Sequence, residues 1–368
     1  MKSLCSLLLI FAFSTIDSQN LYLKNINVFD GNSNSISENS AIKIKNGTIE
    51  WVGKQLSEDP KDYTVVEGLG YYMMPGMIDA HTHISDLKAA DRALTSGVTT
   101  VRSASTSSYQ DVSLANLAKT GVIPGPDVIS AGVYVSPNLG ETILADPRLS
   151  VLSKGVRTDD ELRLLVQINA DRGVNVIKTR GTERAGLPET DPRQQTYTTK
   201  QLKVVVDEAA KHNLKVMVHA HGDEGARAAV EAGALSIEHG TYLSKETLTL
   251  MKAKGVYLVP TLITIEDLKI PGGEYSNPTL ELRGKFMMPE AENAVKNAIA
   301  LGVKIATGAD NDYSAESTTR ISLEAEHFVR LGMTNFQALQ SATKIAAELL
   351  GLEDKTGTIE VGKEADLI

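Results

Sequence analysis

The sequence predicts an α/β chain built on a TIM (β/α)8 barrel, with β-rich segments before and after it that form a smaller sheet. Three observations carry this. Short apolar, β-branched runs recur after helix-like stretches between residues 76 and 351; several of those stretches end in glycine just before the run; and there are eight such units. A barrel of this kind takes about 250 residues. A doubly wound parallel sheet uses the same alternation and is the rival architecture. The 368 residues, 42% hydrophobic and 23% charged, suffice for one large core or two moderate ones and show no disordered or repeated region.

The chain begins with Lys2, an apolar run over residues 4–13, and small or polar residues 14–19. This charged, apolar, polar order is that of a secretory leader, with cleavage expected near Gln19 or Asn20, and the run is too short to span a bilayer. The single cysteine, Cys5, falls within it, so the mature chain is expected to carry neither thiol nor disulfide. Export to a bacterial periplasm or the medium is the expected localisation. No later segment is long and apolar enough for stable membrane insertion.

Residues 21–30 and 41–53 read as strands. Tyr22, Leu23, Ile26 and Val28, then Ile42, Ile44, Ile49 and Val52, are separated by turn formers at residues 30–34 and by Asn46-Gly47, a hairpin signal that explains the Asn46-Gly47-Thr48 sequon better than glycosylation does. Residues 20–75 are therefore expected to form the N-terminal part of the small sheet. The first barrel strand lies in Met74-Pro75-Gly76-Met77-Ile78-Asp79-Ala80-His81-Thr82-His83. The others are expected at Val98-Thr99-Thr100-Val101, Asp127-Val128-Ile129-Ser130, Val174-Asn175-Val176-Ile177, Leu214-Lys215-Val216-Met217-Val218, Leu235-Ser236-Ile237, Val256-Tyr257-Leu258-Val259 and Val303-Lys304-Ile305-Ala306. Gly97, Gly173, Gly233, Gly255 and Gly302 mark helix ends before five of them. After a last helix near residues 334–350, residues 352–368 turn β-like again and stop at the apolar pair Leu367-Ile368, where a strand should be starting. Either the chain is a C-terminally truncated fragment or the small sheet lacks its closing strands.

In a TIM barrel, chemistry sits at the C-terminal ends of the strands. Those ends carry His81 and His83, Lys178, His219 and His221, His239, and Asp310, so five of the seven histidines fall there. His81 and His83 alternate onto one side of an extended strand, and imidazole is the commonest metal ligand. His219 and His221 alternate in the same way. His212, at a helix C-terminus, and His327, on a late helix, are left as structural, and Glu238 is expected to point away from the site by alternation with His239. A net charge of −9 without any Lys/Arg run argues against a nucleic-acid partner and fits a small-molecule substrate.

This set of residues resembles the amidohydrolase superfamily, metal-dependent hydrolases on a distorted TIM barrel with a small β-sandwich formed by both chain ends. His219-Ala220-His221-Gly222, Ile237-Glu238-His239-Gly240 and Val259-Pro260-Thr261-Leu262 look most like the imidazolonepropionase-related group that contains Xaa-Pro dipeptidases and prolidase-like carboxypeptidases. The resemblance implies two divalent metal ions, zinc first, with manganese or cobalt compatible with the same donors. His81, His83 and Asp310 would hold one, His219 and His239 the other, and Lys178, carboxylated by carbon dioxide to a carbamate, would bridge them. It also implies that a metal-bridging hydroxide attacks, with Asp310 as general base and then acid, and that His221 faces the scissile carbonyl; exchanged roles for His219 and His221 stay open.

The expected function is hydrolysis of an amide or peptide bond in a dipeptide-like substrate, with a cyclic amide or lactone as the alternative and a non-catalytic barrel as the remote one. Mononuclear deaminases resemble a His-x-x-Glu pattern after strand five, but Gly222 stands three residues after His219. Two departures weaken any substrate assignment. Where dipeptidase relatives carry a Gly-Gly-His-Gly-like loop, residues 131–138 hold Tyr134 and no histidine, and the region after Lys178 carries Arg180 and Arg184. Tyr134, Arg180 and Arg184 are the substrate-binding candidates, since a guanidinium offers a bidentate fork to a carboxylate. The other partner considered is a second copy of the chain, in a homo-oligomer of unspecified size.

Overall fold

The computed structural model describes residues 20–272, 275–315, 317 and 321–368. The expected leader, residues 1–19, lies outside them. Five strands form the small sheet: β1 (Leu21–Val28), β2 (Ser37–Lys45), β3 (Thr48–Lys54), β4 (Thr64–Glu67) and β5 (Tyr72–Met73). β1, β2 and β3 pair antiparallel, with Leu23 opposite Ile42 and Ile42 opposite Val52, around the expected turn at Asn46-Gly47. Their alternating Ile26, Val28, Ile42, Ile44 and Ile49 pack into one cluster with Ile359 from the far end of the chain. β4 and β5 lie parallel to β1. Sequence periodicity does not reveal β4, because all four of its residues are exposed and no apolar alternation marks it. The C-terminal segment returns here: Ile49 N donates to Lys363 O (2.8 Å), Gly76 N to Asp366 O (2.8 Å), and Met74 and Ile368 exchange two backbone bonds.

Seven further strands alternate with helices: β6 (Met77–Thr82), β7 (Val98–Ser103), β8 (Asp127–Ile129), β9 (Val176–Arg180), β10 (Lys215–Ala220), β11 (Ser236–His239) and β12 (Tyr257–Val259). The helices are α1 (Leu87–Thr95), α2 (Gln110–Lys119), α3 (Asp159–Asp171), α4 (Thr199–Lys211), α5 (Asp223–Ala232), α6 (Lys245–Lys254), α7 (Leu262–Leu268), α8 (Pro278–Leu301), α9 (Ile321–Arg330), α10 (Asn335–Ser341) and α11 (Lys344–Leu350). Thr158, Thr198 and Thr334 begin α3, α4 and α10 with capping boxes, and Gly233, Gly255 and Gly302 end α5, α6 and α8 in the left-handed conformation expected of them.

β6, β7 and β8 form one parallel sheet, and β9 to β12 another. Between β8 and β9, Val135 N donates to Lys178 O (2.9 Å); past β12, Ala306 N donates to Leu258 O (3.0 Å); and Ala80 N donates to Thr307 O (3.0 Å) back at β6. The arrangement is TIM-barrel-like. Among the described residues the expected eighth strand is present only as single bridges, Leu258 to Ile305 and Thr82 to Asn311, and Asp310, with a φ of +37°, ends the extended backbone before Asn311. Gly308 is needed there: a Cβ on it would stand 2.5 Å from Val259 Cγ1 and 2.8 Å from His81 Cβ. Ile177, Val216, Val218, Ile237 and Leu258 are buried against Leu165, Leu202 and Leu248 of the helices, each such side chain contributing about 1.5–3 kcal/mol.

Candidate active site

The C-terminal strand ends converge on a cavity of about 560 Å³ lined by His81, His83, Lys178, His219, His221, His239 and Asp310, with Tyr134, Arg180 and Arg184 on its wall. All ten candidates named from the sequence therefore border one space. Among the described residues two groups could each hold a metal ion, His81 with His83 and Asp310, and His219 with His221 and His239; within each group the donor atoms lie within 4.8 Å of one another.

In the first group, His81 Nε2 and His83 Nε2 each lie 3.2 Å from Asp310 Oδ1. The far nitrogen of each ring is held from behind: His81 Nδ1 by Glu238 Oε2 at 2.6 Å and His83 Nδ1 by Ser105 O at 2.9 Å. A ring whose Nδ1–H is engaged presents a bare Nε2, the tautomer a metal needs. Burial alone would push the Asp310 carboxyl up, but His81, then His83 and His239, hold it well below the usual carboxylate range.

In the second group, the His219, His221 and His239 ring centroids lie 4.5–4.9 Å apart. His219 Nε2 faces Glu183 O (3.0 Å), His221 Nδ1 faces Thr241 Oγ1 (2.8 Å) and His239 Nδ1 faces Thr261 Oγ1 (2.7 Å). Burial, then the neighbouring cations and imidazoles, lowers His219 and His239 well below the ordinary histidine value; His221, also buried, is lowered to about 3. All three rings are neutral and able to ligate. Both His219 and His221 thus sit in the donor cluster.

Lys178 is buried, with its Nζ 3.3 Å from His81 Nε2 and no ion pair among the described residues. Desolvation lowers it to about 8 against the pull of Glu238 and Asp310. An amine so placed is a better nucleophile toward carbon dioxide than a solvated lysine, because more of it is unprotonated near neutrality. The donor set is nitrogen and oxygen only, which fits divalent first-row ions.

On the wall, Arg180 donates to Glu183 Oε2 (2.9 Å) and its guanidinium lies 5.2 Å from the Tyr134 ring centre. Arg184 is exposed and makes no ion pair among the described residues. The Tyr134 hydroxyl is buried without a hydrogen-bond partner there, and desolvation raises it to about 12, so it stays a donor.

Glu238 corrects the sequence reading. It does not point away: it is fully buried, bonded to His81 and paired with Arg102 Nη2 at 3.0 Å. Alternation fails because His239 has a φ of +71°, so Glu238 and His239 do not face opposite sides of a regular strand. Burial would raise Glu238, but Arg102 and then His81 bring it down to about 2. Sequence reasoning also missed Asp79, which accepts from His81 N (3.0 Å), Ala309 N (3.0 Å) and Tyr313 Oη (2.9 Å). The available signal was an ionisable residue inside an apolar strand, Ile78-Asp79-Ala80 and Val101-Arg102-Ser103, since buried charges need partners.

A barrel-like fold with two clusters of metal donors at its strand ends defines a metal-binding barrel. The Amidohydrolase family matches residues 72–368, and the chain belongs to it; it is a hydrolase of carbon–nitrogen bonds. It is 30% identical to the ochratoxinase of Aspergillus niger over 90% of this chain and 77% of that one. It is 24% identical to the imidazolonepropionase of Brucella anthropi over 90% of this chain and 86% of that one. Its structure resembles that of an Xaa-Pro dipeptidase solved with methionine in the active site, with a TM-score of 0.84, 26% identity, and coverage of 95% and 93%.

Proposed function

We propose that this amidohydrolase cleaves an amide or peptide bond in a dipeptide-like or N-acyl amino acid substrate. The observation that carries the reading is the pair of three-donor clusters beside a buried lysine that forms no ion pair among the described residues, all in one cavity. His81, His83 and Asp310 would hold one divalent ion, His219 and His239 the second, and Lys178 as its carbamate would serve both, with zinc the first choice. Bound ions of this kind polarise a carbonyl and bring the pKa of water toward about 7. Carboxylation turns the Lys178 cation into an anion, removing the positive charge that an ion would meet there.

The chain's own groups divide the remaining work. Asp310, ionised and in contact with His81 and His83, accepts the proton of the attacking water and returns it to the leaving amine. His221, neutral, can donate an Nε2–H to the scissile carbonyl in the tautomer whose bare Nδ1 accepts from the Thr241 hydroxyl. Arg184, at the cavity wall and without an ion pair among the described residues, and the Tyr134 hydroxyl receive the substrate carboxylate, whereas Arg180 is already committed to Glu183. The imidazolonepropionase likeness supports a second reading, opening of a cyclic amide or a lactone.

The test is a screen of zinc-loaded protein against dipeptides, N-acyl amino acids, cyclic amides and lactones, read by amine release and by ring opening. Amine release from the open-chain substrates is expected. Ring opening alone would favour the second reading, and no turnover of any of them would overturn both. The leader-like N-terminus supports export as well; the mature protein is expected to begin near Asn20, which its intact mass checks.

A further inference from the structure

Residues 181–196 leave β9, form part of the cavity wall and return to α4. The base of this excursion is held by main-chain bonds, Glu183 N to Gln194 O (2.9 Å) and Thr196 N to Gly181 O (2.8 Å), and by the Thr182–Gln195 bridge. That base carries the Glu183 carbonyl facing His219. The tip is built differently. Thr190 Oγ1 donates to Arg184 O, and then one side chain from a distant helix takes over: Arg283, on α8.

Its Nη1 donates to Ala185 O (2.5 Å) and Leu187 O (2.6 Å), and its Nη2 to Pro188 O (3.1 Å) and Thr190 O (2.6 Å). Four carbonyls of one short turn are gathered by one guanidinium, and among the described residues no carboxylate is within ion-pair reach of it. A cation is placed here for its donors. Only a planar fork with five N–H groups reaches carbonyls so distributed; an ammonium offers three donors from a single point. Tyr275, just before α8, also approaches the tip, since a Cβ on Gly186 would stand 3.3 Å from its ring.

We infer that Arg283 is a positioning residue that fixes the 184–190 tip and, through it, aims Arg184 into the cavity. Because the base is held independently, loosening the tip leaves the Glu183–His219 contact in place. Substrate capture is then affected and the chemical step is not. The kinetic part of this inference rests on the reading that Arg184 meets a substrate carboxylate; the structural part does not.

The experiment compares the full-length, zinc-loaded parent with Arg283→Lys, and with Arg283→Gln as a second variant that keeps a donor without charge. Amide hydrogen exchange across residues 184–190 is expected to speed up while exchange in β9 and β10 is unchanged. KM for a dipeptide with a free carboxylate is expected to rise at least about tenfold, with kcat within about twofold and little change for the amidated dipeptide. Arg184→Ala combined with Arg283→Lys should be no worse than Arg184→Ala alone. Unchanged exchange at the tip would overturn the clamp, and an equal rise in KM for both substrates would overturn its role in aiming Arg184. Absence of hydrolysis by the parent would count against the proposed reaction, with the exchange result still deciding the clamp.

Discussion

His81 Nδ1 and Glu238 Oε2 lie 2.6 Å apart, although 157 positions separate them in sequence, and the other Glu238 oxygen meets Arg102 Nη2 at 3.0 Å. The carboxylate thereby ties a ring at one strand end to a charge buried in the strand beside it. Partners behind a ligating histidine fix its tautomer and raise its basicity, and losing one lowers metal affinity about 10–100-fold. Glu238→Gln should weaken zinc binding by that factor, measured in competition with a chromophoric chelator. An unaltered affinity would show that His81 is oriented by something else.

Arg102 is the cation that lets this carboxylate stay ionised out of water. Replacing it by Met leaves Glu238 buried with His81 and Ser236 as its side-chain hydrogen-bond partners among the described residues. Breaking a buried pair from one side costs about 3–5 kcal/mol. Urea denaturation of Arg102→Met should show a loss of that size, and a loss under about 1 kcal/mol would mean that the pair adds little.

Lys178 should be needed both as a side chain and as a carbamate. Lys178→Met is expected to lower kcat by at least about 100-fold. Protein stripped by a chelator at mildly acidic pH and reloaded with zinc should regain activity faster with bicarbonate than in buffer purged of carbon dioxide. Identical recovery in both would argue for the free amine.

Arg184 and Arg180 differ in how they are engaged, and so should their variants. Arg184→Glu is expected to raise KM for a free dipeptide at least about tenfold and to leave the amidated dipeptide nearly unchanged. Arg180→Glu breaks the pair with Glu183 and should affect both substrates alike. The reverse pattern would move carboxylate recognition to Arg180.

Asp146 supplies a pH dependence away from the site. It caps the turn beginning at Pro147, bonds Arg148 and Arg172, and is held below the usual carboxylate range, first by Arg148. Its folded pKa is depressed, so its contribution is complete above the unfolded value of about 3.9, begins to shrink as pH falls below that value, and is gone only once pH has fallen through the folded pKa. Asp146→Asn should be less stable than the parent at neutral pH, with the gap in urea midpoint closing toward pH 3. A gap that stays constant would show that the ionised form is not what stabilises.

Legibility in the sequence followed regularity in the backbone. His81, His83, Lys178, His219 and His221 were readable because each continues or directly follows an extended apolar run, where alternation assigns a side. The same rule misplaced Glu238 because the left-handed backbone at His239 ends the alternation. It also promised a continuous strand at residues 303–306, where the chain is joined to its neighbours only by single bridges. β4 was invisible for want of any buried face. Arg283 could not have been found at all: its partners lie 93–98 positions away, and nothing in a helical arginine distinguishes one that collects carbonyls from one that meets water.

His83 and Asp310 meet across 227 positions of chain, at the seam where the last barrel segment returns to the first strand. A divalent ion shared by these two residues would act as a staple at that seam. The cost of bringing distant ends together grows with the length of chain between them, so a cross-link over so wide a separation withdraws much freedom from partly opened forms. The chemistry and the durability of the ring would then depend on the same ion.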